Sequence, residues 1–176
     1  MKSLLKVYLC VGLLLCACND AQQESVSSAD VQQEQPSKTI TSDMIEGLSY
    51  DDFALSTEGQ RLTESWKKYN ELAIQVSYLK TADFSFFESE KSTLLEFLDQ
   101  LKKSIPENLN TPAVISRVVV LETMVLKLKE NLKLNIADQQ TQLNHIKDVM
   151  VAFSNLNWQI NKKLEKDKYS KIQPEK

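Results

Sequence analysis

Cysteine is missing from most of this chain. All three cysteines, Cys10, Cys16 and Cys18, fall within the first 18 residues. The remainder therefore cannot build a disulfide core, a zinc-thiolate cluster or a cysteine nucleophile. Glycine and proline are scarce too, with three and four in 176 residues. Few breakers beside 42% hydrophobic residues favour long helices over a strand-rich fold. Histidine occurs once, at His145, so no Glu-x-x-His pairs exist to found a di-iron bundle. As a haem ligand His145 could pair only with Met44, Met124 or Met150, and its position on a polar helix edge reads as solvated surface. There is neither a Gly-rich phosphate loop nor a Gly-x-Ser-x-Gly elbow. Carboxylates stand singly on helix surfaces. No catalytic residue, metal site or cofactor is expected, and the chain reads as a non-enzyme. A formal charge of −3 offers no basic excess for nucleic acid.

Long apolar runs are also absent. Val7 to Ala17 covers 11 residues, whereas a spanning helix needs roughly 20 to cross about 30 Å of hydrocarbon. Lys2 and Lys6 precede it, and a basic end before a short apolar run is the pattern of a removable export signal. The run closes on Leu15-Cys16-Ala17-Cys18. This stretch resembles the lipobox of bacterial lipoproteins, with Leu15 three before the cysteine and small Ala17 directly before it. The resemblance implies cleavage before Cys18 and lipidation of Cys18; stable anchoring takes more than one acyl chain. Residues 1–17 are thus expected to be a signal peptide and 18–41 an anchor with its tether. The expected address is the bacterial cell envelope, with the outer membrane preferred over the inner. Loss of Lys2 and Lys6 would shift the formal charge from −3 to −5.

Asn19 to Thr41 is rich in glutamine and serine and nearly free of apolar residues, so it reads as a disordered tether. Its r.m.s. reach would be roughly 25–30 Å. Residues 42–176 form the expected helical domain. Its first part, 42–55, carries Met44, Ile45, Leu48, Tyr50, Phe53 and Leu55. That is too apolar for free linker, and it reads as a strap on the helices, with a short helical turn ending at Gly47.

Four helical patterns follow. The first spans about 57–80, with Leu62, Trp66, Tyr69, Ala73 and Val76 at spacings of three and four and Thr57 with Gln60 as a capping box. The second spans about 86–104 after a Ser85 cap, with Phe87, Leu94, Leu98, Leu101 and Ile105 inward and Pro106 as its stop. The third opens on Thr111 and Pro112 and carries Val114, Val118, Leu121, Val125, Leu128 and Leu132. The fourth spans about 138–167, with Leu143, Ile146, Met150, Phe153, Ile160 and Leu164. Short links make neighbouring helices antiparallel. The expected fold is all-α: an up-down four-helix bundle, with a three-helix bundle containing one longer helix as the alternative.

Some residues depart from these stripes. Glu122 lies among Val118, Ile115 and Leu126, and Lys129 points close to the same direction. Asn157 falls between Phe153, Ile160 and Leu164. These are candidate buried polar groups, to be read as register-setting contacts or as the lining of a ligand cavity. Ile74 and Tyr78 share a second face of the first helix, and Val151 and Trp158 share one on the fourth. Those four would cover the strap or form a partner surface, since aromatic anchors dominate interfaces. Lysines gather at helix ends, where they oppose the macrodipole; Lys168, Lys171 and Lys176 enrich the tail, which could touch anionic lipid or polymer. Two functions are expected as alternatives. One is a membrane-anchored module that binds an envelope protein. The other is a small-ligand carrier with a cavity near Glu122 and Asn157.

Overall fold

A computed structural model of the chain describes residues 39–134 and 138–172. The expected signal peptide, Cys18, the expected tether up to residue 38, the expected turn at 135–137 and Lys176 lie outside the described residues. Those described form helices and irregular segments, with no strand among them. The chain is all-α.

The helices are α1 (Ser42–Glu46), α2 (Thr57–Thr63), α3 (Lys67–Lys80), α4 (Ser85–Glu88), α5 (Lys91–Lys103), α6 (Pro112–Leu134) and α7 (Gln139–Ser170). A 3-10 turn at Glu107–Leu109 fills the link before α6. The starts have local causes. Ser56 accepts the Gly59 N–H at 3.1 Å and opens α2, one residue ahead of the expected Thr57 cap. Asp138 accepts the Thr141 N–H at 2.9 Å and opens α7. That bond holds the Asp138 carboxyl below its usual range. Thr111 Oγ1 meets the Val114 N–H at 3.4 Å in front of Pro112. Packing also begins earlier than expected, because Ile40, assigned to the tether, is buried.

Two of the expected helices are each two. The 57–80 pattern breaks at residues 64–66, where Trp66 leaves helical geometry at φ −86°, ψ 75°. The bend buries the Trp66 ring fully and lets its indole N–H donate to the Leu101 carbonyl at 3.0 Å. Asn70 Nδ2 donates at 3.0 Å to the Thr63 carbonyl, which also accepts the Trp66 N–H at 2.9 Å. The inward stripe of α3 is then Tyr69, Leu72, Val76 and Leu79, not Ala73. The 86–104 pattern breaks at Ser89–Glu90. Here the buried Lys129 ammonium donates to the carbonyls of Glu88 and Ser89. The anticipated Ser85 cap lies inside α4, bonded to Asp83 at 2.6 Å.

One apolar core runs through all the long helices. Phe87, Leu94, Leu98 and Leu101 come from α4 and α5, and Val114, Val118, Leu121, Val125 and Leu128 from α6. Ile146, Val149, Met150, Leu156 and Ile160 come from α7. Burying a side chain of this size contributes about 1.5–3 kcal/mol before ordering entropy is charged. The order of cross-helix contacts gives direction. Lys102 meets Glu122 and Lys91 meets Glu130, so α5 and α6 run oppositely. Trp66 meets Leu101 while Lys68 lies 4.9 Å over the Phe97 ring, so α3 and α5 do too. α6 packs chiefly against α7.

Candidate functional site

Residues 48–56, Leu-Ser-Tyr-Asp-Asp-Phe-Ala-Leu-Ser, run irregularly between α1 and α2. Such a segment has no helical ladder, and its backbone groups must find other partners. Side chains of α7 supply them. Ser154, Asn157 and Asn161 stand three and four apart, so they share one face of the helix. Ser154 Oγ accepts the Phe53 N–H at 2.7 Å and donates to the Asp51 carbonyl at 2.5 Å. Asn157 Nδ2 donates to the Phe53 carbonyl at 2.9 Å. Asn161 Nδ2 donates to the Ala54 carbonyl, and Asn161 Oδ1 accepts the Ser56 N–H, both at 2.9 Å. Three side chains thus take five main-chain groups in chain order.

The surroundings fix this row. Asn157 is buried, and its Oδ1 accepts the Tyr69 hydroxyl hydrogen at 2.6 Å. The Tyr69 ring stacks between Trp66, 5.2 Å away, and Phe153, 5.5 Å away. Burial pushes the Tyr69 phenol well above its ordinary range. Gly59 lets α2 approach: a Cβ there would sit 3.1 Å from Asn161 Oδ1 and 3.2 Å from Leu55. On the other side of the strap, Lys80 pairs with Asp52 at 2.6 Å and lies 5.9 Å from the Tyr50 ring centre. Burial lowers the Lys80 pKa, but hydrogen bonds to Asp52 and Tyr50 outweigh it and leave it raised.

The expected site residues separate. Trp158 is half-buried with Phe53 of the strap 6.5 Å from its ring, and Val151 is half-buried. Ile74 and Tyr78 are 51% and 49% exposed, one turn apart on α3. Glu122 is half-buried and pairs with Lys102 at 2.9 Å between α5 and α6. Asn157 holds the strap on α7. Glu122 and Asn157 thus have different partners, Lys102 for the one and the strap backbone with Tyr69 for the other. Lys129 caps α4. His145 lies 3.8 Å from Asp148, and its Nδ1 makes no hydrogen bond. A cleft of about 1030 Å³ borders the last turns of α7, with Arg61, Lys168, Tyr169 and Lys171 in its walls.

Sequence reasoning singled out Asn157 but missed Ser154 and Asn161. The signal was a polar row at the three-four spacing that apolar stripes use, on a helix downstream of an apolar strap. Among the described residues no group of three or more His, Cys, Asp or Glu is placed to hold a metal. No described helix is long and apolar enough to cross a membrane. No protein-family model matches the chain, and neither curated proteins nor solved structures gave a match.

Proposed function

We propose that this protein is a membrane-anchored, non-enzymatic helical module of the bacterial cell envelope that binds another envelope protein. Lipid on Cys18 would hold it, and residues 19–38 would space the folded part from the surface. The same reading takes α3, α5, α6 and α7 as an up-and-down four-helix bundle; the opposed order of contacts between α3 and α5 and between α5 and α6 supports it. The observation that carries the binding role is the outer face of α3, where Ile74 and Tyr78 leave about half their surface in water. Trp158 is taken as strap packing, with its ring 6.5 Å from that of Phe53. An aromatic and an aliphatic side chain one turn apart make a small anchor of the kind that dominates interface energetics.

Crosslinking in whole cells tests the reading. A photoreactive residue at Ser77, between the two anchors, is expected to trap one specific envelope protein. Tyr78→Glu placed alongside it is expected to remove the product. A product that persists in the Tyr78→Glu chain would show that this face is not the contact.

A further inference from the structure

The geometry points to a second binding site: the face of α7 bearing Ser154, Asn157 and Asn161 is a groove for an extended peptide, held shut by the chain's own residues 50–56. This names the partner's chemistry for the interaction module proposed above, at a surface other than Ile74 and Tyr78. The row grips the strap through main-chain groups alone, receiving hydrogens from two amides and giving them to three carbonyls. Every peptide carries those groups, so such bonds give affinity while side-chain contacts give selection. Three contacts select here. Tyr50 lies beside Lys80, Phe53 faces Trp158, and Leu55 packs on the core. The fitting partner is an extended segment with aromatic residues three apart and an aliphatic residue two further on.

The strap has the features of a displaceable occupant. Residues 51–54 are exposed even while their backbone is bonded, and segments with exposed hydrogen bonds and few buried contacts open first. Its far end is fixed, because Ser56 both bonds Asn161 and caps α2. Opening therefore starts at Asp51 and Phe53, which frees Ser154 and Asn157 for an incoming chain. The fixed end also disfavours a second copy as occupant, since no spare residue at Ser56 can serve as an exchange hinge.

A labelled synthetic peptide of residues 48–56 is the probe, added to the full chain. In the wild type the resident strap competes at an effective concentration on the order of millimolar, so binding is weak. Phe53→Ala in the chain weakens the resident and is expected to tighten peptide binding at least tenfold. Adding Ser154→Ala, which removes the side chain that the opening frees, is expected to abolish it. A folded Phe53→Ala chain that binds no peptide overturns the proposal, as does one that instead forms a concentration-dependent dimer. Should Phe53→Ala not fold, hydrogen exchange on the wild type decides. The proposal requires the Phe53 amide, bonded to Ser154 Oγ, to exchange by local opening while α7 stays protected. Exchange of that amide only on global unfolding overturns it. Neither result depends on whether crosslinking beside Tyr78 finds a partner.

Discussion

Ala82 is the described non-glycine residue whose backbone enters the left-handed region, at φ 63°. Its place explains why. The Asp83 N–H reaches back to the Tyr78 carbonyl at 3.0 Å and the Ala82 N–H to the Leu79 carbonyl at 3.1 Å. That pair of bonds is the Schellman end of α3, with Ala82 at the position where glycine is usual. A left-handed alanine costs about 1–2 kcal/mol, part of which glycine returns as unfolded-chain entropy. Ala82→Gly is therefore expected to stabilise the fold by about 0.5–1 kcal/mol, measurable as a shift in the urea midpoint at unchanged slope. A loss of stability would refute the strain. Tyr69 gives a second expectation at this scale. Its pKa is raised from an ordinary 10.0 by burial. Below about pH 10 both states keep the proton, and the contribution is complete. Above it the unfolded chain loses the proton first, so stability falls as pH rises. Tyr69→Phe removes that phenol and should flatten the stability profile above pH 10. Tyr50 and Lys80, also raised, keep some slope. A profile as steep as wild type would show that Tyr69 does not carry the effect.

Among the elements, the stretches legible in the sequence were those governed by local rules. The α6 stripe, its Thr111-Pro112 start and the buried face of α5 follow from periodicity and capping. The two helix breaks do not. Neither contains glycine or proline, and each is compensated from afar. Trp66 leaves the helix for a carbonyl on α5, 35 residues away in sequence. The α4 end is satisfied by Lys129, about 40 residues on. A lysine in an apolar face looks misplaced until the carbonyls it serves are in view. The same holds for the strap row. Asn157 stood out because it interrupts apolar neighbours, whereas Ser154 and Asn161 look like an ordinary wet helix face. What they bind is the backbone of residues 51–56, and main-chain acceptors leave no mark on a sequence. The strap's apolar residues and the helical turn before it were legible; its partner on α7 was not.

At the scale of the whole molecule, the described helices have two distinct ends. The Thr39 carbonyl accepts from Gln139 Nε2 at 3.3 Å, so the described chain begins beside the first residue of α7. α7 then runs for 32 residues, about 48 Å at 1.5 Å per residue. Tyr169 and the cleft with Lys168 and Lys171 stand at its other end. If, as proposed, Cys18 carries lipid and residues 19–38 act as a spacer, its reach would be roughly 22–27 Å, shorter than this helix. The Gln139 end is then held near the head groups while the Tyr169 end ranges farther out. A fluorophore at Gln140, reconstituted with the lipidated chain in vesicles carrying a head-group quencher, should be quenched more than one at Lys168. Cys18→Ser should abolish quenching at both positions. Equal quenching in the lipidated chain would mean that the domain lies along the membrane. The exposed Tyr169 and Ile172, 63% and 61% open to solvent, would then face lipid instead of reaching away from it.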